Sequence, residues 1–582
     1  MSTSLKTPIL AIFALFIAGA QMAWAQGPDP GTPGPHAVAR QEYNFGDTAL
    51  TLSGFPGPIE LHASITYPVD LASGPFPTVI FLHGRHATCF QGSAAFLQWP
   101  CTSGRQPIPS FEGYNYISDI LASHGFIVVS ISANGINAVD NSVFDLGALA
   151  RAELIQKHLQ ILQTFNTTGG DPFGTLFSGT MDLSNVGTMG HSRGGEGVVR
   201  HFLLNASLGS PFGIKAVFPL APVDFNRPVI NQVSLDVMLP YCDGDVSDLQ
   251  GVHYFDDARY NVPGDLARKH TTLVLGANHN FFNTIWTPGL FPAGTADDWT
   301  RFVPGGSSNP WCGEGTGNGR LSPEQQRGTG LAYIAGFFRL YLGGESAFLP
   351  LFKGAVLPPP SAMTTLIFQS YLAPDDPQSR LDVNRLLDAT SLTTNTLGGA
   401  VTQSGLSPYD LCGGLAPEPR FCLPTEPNTR QPHTTPSARA PTVRGVSQLQ
   451  FGWSDLTAAY ENDLPPGSGN VRGFAVLQFR VSVNYLDPRN TPGVSKDFAI
   501  SLTDASGNSA MTLVSSSSRV LFFPPGSSSS TDNPVPKIFL NTARIPLSAF
   551  FGVNLNNIRS IDFLFDQQAQ GALFISDLAF AD

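Results

Sequence analysis

Gly190-His191-Ser192-Arg193-Gly194 sets a serine between two glycines, a spacing that suits a serine turned into a nucleophile. A serine hydroxyl attacks poorly at neutral pH. It needs a histidine to take its proton and a carboxylate to fix that histidine's tautomer, and the chemistry is then acyl transfer through a covalent intermediate. Upstream, Asn185-Val186-Gly187-Thr188-Met189 reads as a short buried strand, and downstream Gly195–Leu204 places apolar residues at helical spacing. Strand, tight turn and helix form the setting in which G-x-S-x-G lifts the serine Oγ above a sheet. Glycines flank the serine because side chains there would collide with neighbouring backbone.

The partners should follow Ser192 at the ends of later strands, in the order Ser, Asp, His. His279 lies in Leu275-Gly276-Ala277-Asn278-His279-Asn280, directly after an apolar strand, where open α/β sheets place their sites. Other histidines fail on context: His124 precedes a strand, His158 and His201 fall within helices, and His253 and His270 precede the required strand end. For the acid, the run Asp236–Tyr241 reads as a strand that ends in Cys242-Asp243-Gly244-Asp245. Asp245, past Gly244, is the expected acid, with Asp243 the next choice; the remaining aspartates read as turn residues. The oxyanion needs two backbone N–H donors. One is expected from Arg193, and the other from Arg85 in the turn His83-Gly84-Arg85-His86 after the strand ending at Leu82. His83 and His86 could be a metal pair but lack a third ligand nearby, so no metal is expected there.

The elements that carry these residues lie in a chain of 582 residues whose first 25 read as a secretory signal peptide: Lys6, an apolar run from Ile9 to Ala20, and Ala23-Trp24-Ala25 as the cleavage site. No later segment offers about 18 consecutive apolar residues, so no membrane anchor is expected. Loss of Lys6 takes the formal charge from -12 to -13, which argues against nucleic acid as a partner. With 13% charged residues, 59 glycines and 48 prolines, the composition suits a loop-rich exported protein. An even set of six cysteines favours disulfides in an oxidising compartment. Sequence proximity suggests Cys89–Cys101, Cys242–Cys312 and Cys412–Cys422.

Residues 26–39 read as a flexible leader. From 40 to 356, near-continuous apolar strands such as Thr78–Leu82, Phe126–Ile131 and Thr272–Leu275 alternate with amphipathic helices, the pattern of a parallel sheet covered on both faces. Pro358-Pro359-Pro360 marks a linker at 357–361. From 362 to 582, helical periodicity gives way to β-rich runs such as Phe474–Val483, Phe498–Leu502 and Val520–Phe523, an all-β sandwich.

The serine motif, the acid loop, the histidine loop and the His-Gly turn resemble the α/β-hydrolase superfamily over about 40–355. The form Gly-His-Ser-Arg-Gly-Gly is similar to the dienelactone-hydrolase, chlorophyllase and cutinase-like lipase branch. The stretches Phe539–Phe550 and Gly571–Leu578 resemble the jelly-roll, galactose-binding-like modules of secreted enzymes. The resemblance implies hydrolysis of carboxylic esters through an acyl-enzyme, with no cofactor or metal. With the signal peptide, the expectation is a secreted serine hydrolase, monomeric, with a polymeric or carbohydrate ester as one candidate substrate. A peptidase or amidase using the same triad is the alternative within hydrolases, and a non-catalytic binding or adhesion protein the alternative outside them. Two insertions depart from compact lipases: 85–117 with Trp99, and 283–320 with Trp286, Trp299 and Trp311. Their tryptophans either wall a pocket or pack the loops.

Overall fold

Strand Phe76–Leu82 sends Val79 and Phe81 to one apolar cluster and Ile80 and Leu82 to another. Side chains alternate across a strand, so two clusters on opposite faces mean a sheet buried on both sides. The computed structural model describes residues 27–314, 319–413, 422, 430–435, 437–440, 446–527 and 535–582; the expected signal peptide lies outside them. The sheet has nine strands in the order Val38–Asn44, His62–Pro68, Ile127–Ile131, Phe76–Leu82, Met181–His191, Ile214–Leu220, Ser234–Pro240, Lys269–Val274 and Ile367–Leu372. From Ile127–Ile131 to Lys269–Val274 the pairing is parallel, and at both edges it is antiparallel. Helices Ala148–Thr167, Arg193–Ser207 and Pro323–Tyr341 cover it. The last begins with a capping box between Ser322 and Gln325, which satisfies the first-turn amides.

The β-rich region forms two further antiparallel sheets. One orders Leu406–Cys412, Gln448–Trp453, Gly571–Ala581, Val476–Val483 and Asn541–Pro546, with Arg380–Asn384 also on Gly571–Ala581. The other orders Val401–Ser404, Ala459–Asp463, Ile558–Leu564, Ala499–Asp504 and Ser509–Leu513. Phe451, Phe479, Phe498, Phe563 and Phe565 share one buried cluster contributed by both.

Three expectations change. Ile367–Leu372, placed beyond the linker by the sequence, is the ninth strand of the first sheet: Leu273 pairs with Phe368 in antiparallel register, so the strand covers an edge that would otherwise expose unpaired backbone. Residues 27–37, read as a free leader, are tied down instead. The Arg339 Nη1 donates to Pro30 O at 3.0 Å, and Gly34 N donates to Ser123 Oγ at 2.7 Å. Val520–Phe523 is not a strand.

All three disulfides pair as the sequence suggests. Cys89–Cys101 closes the insertion after the His-Gly turn, which holds a small three-stranded sheet. Among the described residues no helix is long and apolar enough to cross a membrane. The β-rich region is fastened to the first sheet's loops by buried polar groups. Asp256 is held by His433 Nδ1 at 2.6 Å and Arg480 Nη1 at 2.8 Å. Lys537 Nζ donates to Ser247 O at 2.5 Å, while Tyr241 Oη donates to Pro525 O at 2.9 Å.

Candidate active site

Ser192 stands between the strand Met181–His191 and the helix Arg193–Ser207, with φ 58° and ψ -124°. A non-glycine residue there carries roughly 1–3 kcal/mol of backbone strain. The turn is possible only because its neighbours lack side chains. A Cβ on Gly190 would stand 2.0 Å from Gly194 O, and one on Gly84 would meet Ser192 Cβ at 2.5 Å. The serine is 3% exposed.

His279 follows the strand Lys269–Val274 and is buried. Its Nδ1 is 2.8 Å from Asp243 Oδ2. Asp245, the first choice from sequence, does not make this bond: its carboxylate is half exposed and lies 3.7 Å from Nε2, the opposite side of the ring. The turn decides the difference. Asp243 Oδ1 accepts the amides of Asp245 at 2.9 Å and Val246 at 2.6 Å, so the first aspartate folds inward over its own loop and the second is turned outward. Burial opposes charging the His279 ring, but the Asp243 carboxylate and its hydrogen bond, then Asp245 and Asp298, outweigh it and push the imidazole up to about 9.

Sequence reasoning missed Asp298. This buried carboxylate accepts Gly244 N at 2.8 Å, His279 N at 3.0 Å and Asn280 N at 2.9 Å, so it clamps the acid loop to the histidine loop. Burial, then the Asp243 charge, pushes its carboxyl up to about 6. The only hint was an Asp297-Asp298 pair in a stretch poor in charge. The Cys242–Cys312 bond holds the same junction from the other side. His191 was also missed. Its ring lies 4.9 Å from the His279 ring, its Nε2 donates to His279 O at 3.0 Å, and Tyr114 Oη meets Nδ1 at 2.9 Å. Burial drives His191 well below the ordinary histidine range, which keeps it a neutral strut.

On the opposite side, Gly84 O accepts from His83 Nδ1 at 2.9 Å and Asn137 Nδ2 at 2.9 Å. His83 Nε2 accepts the Ala133 amide at 2.9 Å, which fixes the tautomer with Nδ1 protonated. A trans peptide points its C=O and N–H in opposite directions. Holding Gly84 O therefore aims the Arg85 N–H the other way, and that amide has no backbone acceptor among the described residues. Arg193 opens a helix, so its amide has no partner within that helix. Asn137 is itself placed by Glu60, whose buried carboxyl takes the amides of Asn134 and Gly135 where the helix Asn134–Val139 begins.

Trp286 is buried, stacked on His86 with ring centroids 4.8 Å apart, and Trp299 is buried beside Cys312; both pack the insertions. Among the described residues no group of three or more histidines, cysteines or carboxylates is placed to hold a metal ion.

No family model matches the chain. It is 26% identical, over 249 residues, to a bis(hydroxyethyl) terephthalate hydrolase of Streptomyces coelicolor; the match covers 42% of this chain and 64% of that protein. That relative is an ester hydrolase. The likeness is distant, and the chain spans less than two thirds of the relative's length.

Proposed function

We propose that this chain is a serine hydrolase of carboxylic esters, with Ser192 as nucleophile, His279 as base and Asp243 as the acid that orients it. The observation that carries the reading is Ser192 in a strained strand-to-helix turn, directly after His191, whose ring lies 4.9 Å from the ring of His279, itself held at Nδ1 by a buried aspartate. In the first half-reaction, His279 Nε2 takes the Ser192 proton as Oγ attacks the ester carbonyl. The carbonyl oxygen gathers negative charge against the amides of Arg85 and Arg193. His279 then gives its proton to the leaving alcohol, and water enters by the same route to release the acid. The Asp243 carboxylate holds the ring through Nδ1 and stabilises the transient imidazolium.

The distant relationship to a terephthalate ester hydrolase supports esters over amides and makes small aromatic diesters the first substrates to try. Three disulfides support an exported enzyme. A fluorophosphonate probe should label the wild type and fail to label Ser192→Ala. Equal labelling of both would overturn the reading, and faster turnover of p-nitroanilides than of p-nitrophenyl esters would move it to the amidases.

A further inference from the structure

The two residues whose amides face the reacting carbonyl in the proposed function are both arginines, and their side chains meet. Arg85 Nε lies 3.0 Å from Asp140 Oδ1, and Arg193 Nη1 lies 2.9 Å from Asp140 Oδ2. A third guanidinium, Arg151, donates to Asp140 Oδ2 at 2.8 Å and to Asn137 Oδ1 at 2.7 Å. Asp140 is fully buried, as is Arg151. One carboxylate therefore serves three guanidiniums, and two positive charges remain uncompensated within this group.

The surplus is placed for use. Arg151 is closed off: besides Asp140 and Asn137, it donates to the carbonyls of Leu146 and Gly147. The other two are not. Their side chains are 29% and 16% exposed. Arg193 Nη1 is buried against Asp140 Oδ2 at 2.9 Å, an oxygen it shares with Arg151, so the two guanidiniums divide one acceptor. Nearby Glu196 does not restore the balance, because burial pushes its carboxyl up to about 8. Arg193 also reaches over the Phe225 ring at 5.5 Å. Phe225 O accepts the Arg439 amide at 2.7 Å, and the Arg439 guanidinium lies 4.5 Å from the ring of Phe144, which is 76% exposed. The cationic group thus continues into a surface of aromatic and arginine side chains. The histidine side has the opposite character, with Asp243, Asp245 and Asp298. In an acidic protein of net charge -12, a positive group beside the nucleophile is set against the overall balance.

We infer that Arg85 and Arg193 form a subsite for a carboxylate on the substrate, so that the preferred esters carry a negative charge one arginine side chain away from the scissile carbonyl. Arginine suits this because its planar fork pairs with a carboxylate through two N–H bonds. Asp140 sets the spacing of the two forks, whose outer sides stay partly open to solvent. This inference rests on the proposed hydrolase reading and deepens it to a substrate class.

The test compares matched esters on the full-length protein. In one arm, p-nitrophenyl hemisuccinate is set against p-nitrophenyl butyrate, placing the charge on the acyl side. In the other, 4-acetoxybenzoate is set against its methyl ester, placing it on the alcohol side. The expected result is a kcat/KM ratio favouring the anionic ester by about tenfold or more in one arm, the scale of a charge-assisted hydrogen bond. That preference should weaken with added salt. In Arg85→Gln and Arg193→Gln the ratio should fall about tenfold, and Arg193→Lys should recover part of it. The ratio is taken within each variant, so a change in the amides that both esters use cancels, and the melting temperature reports whether the variant is folded. Turnover of neutral esters with no anionic preference in either arm would overturn the inference while leaving the hydrolase intact. A preference unchanged in both glutamine variants would also overturn it. No labelling by fluorophosphonate and no turnover of any ester would overturn the hydrolase reading and this inference together.

Discussion

At the residue scale, two aspartates two positions apart face the same imidazole from opposite sides, and their substitutions should separate cleanly. Asp243→Asn leaves Nδ1 facing an amide in place of a carboxylate, and kcat should fall on the order of 10⁴-fold, as when a triad aspartate loses its charge. Asp245→Asn should leave kcat near wild type and move the pH profile. His279 acts as a base only when neutral, and its carboxylate neighbours hold its pKa above the ordinary value of 6.5. Activity should therefore fall as pH drops through a value above 6.5. Removing the Asp245 charge lowers that pKa, so the acid limb of kcat/KM should shift toward lower pH. A large kcat loss in Asp245→Asn with a mild one in Asp243→Asn would reverse the two roles. The places of Ser192, His279 and the His-Gly turn at strand ends were legible in the sequence because each sits in a local pattern: a glycine-flanked elbow or the end of an apolar strand. Which aspartate bonds the His279 ring was not. It depends on which carboxylate accepts the turn's own amides, and Asp243 does so through Asp245 N and Val246 N.

At the element scale, the acid loop and the histidine loop come from neighbouring strands but are held in register by a third segment. Cys312 bonds Cys242, the residue before Asp243, and Asp298 takes amides from both loops. Cys312→Ser opens a loop of 70 residues, which loop-closure entropy values at about 4 kcal/mol. Because the bond is adjacent to Asp243, the variant should lose kcat as well as melting temperature. Cys101→Ser, which opens the bridge of separation 12 in the first insertion, should lose stability with kcat less affected. Equal kcat in the two variants, measured well below their melting temperatures, would show that the Cys242–Cys312 bond does not position the acid. Alternating strands and helices were legible as far as the helix Pro323–Tyr341. The strand Ile367–Leu372 was not, since a proline-rich stretch before it reads as a linker and a lone strand after it reads as the start of a sandwich. Only its pairing with Lys269–Val274 returns it to the first sheet.

At the scale of the whole molecule, the β-rich region is built into the half that carries Ser192 and His279. A chain ending at 361 would lose the ninth strand of the first sheet and leave Asp256 buried without His433 and Arg480. It should fail to yield a cooperatively folding protein, and a sharp melt with esterase activity would show the halves to be separable. Lys537 offers a finer test of the same junction. It projects from the β-rich region to Ser247 O beneath the acid loop, and burial, against the pull of Asp243 and Asp248, pushes its ammonium down to about 7. In the unfolded chain the same group titrates near 10.4. Between about pH 7 and pH 10 the unfolded chain therefore binds more protons at this position, so Lys537 makes stability rise with pH across that window. Below pH 7 both states are charged there and the full penalty of burying the charge remains. Lys537→Met removes the penalty along with the Ser247 bond. Melting curves should show the wild type gaining on the variant steadily from pH 7 to pH 10, and a difference that stays flat over this window would mean that Lys537 is not buried against the acid loop.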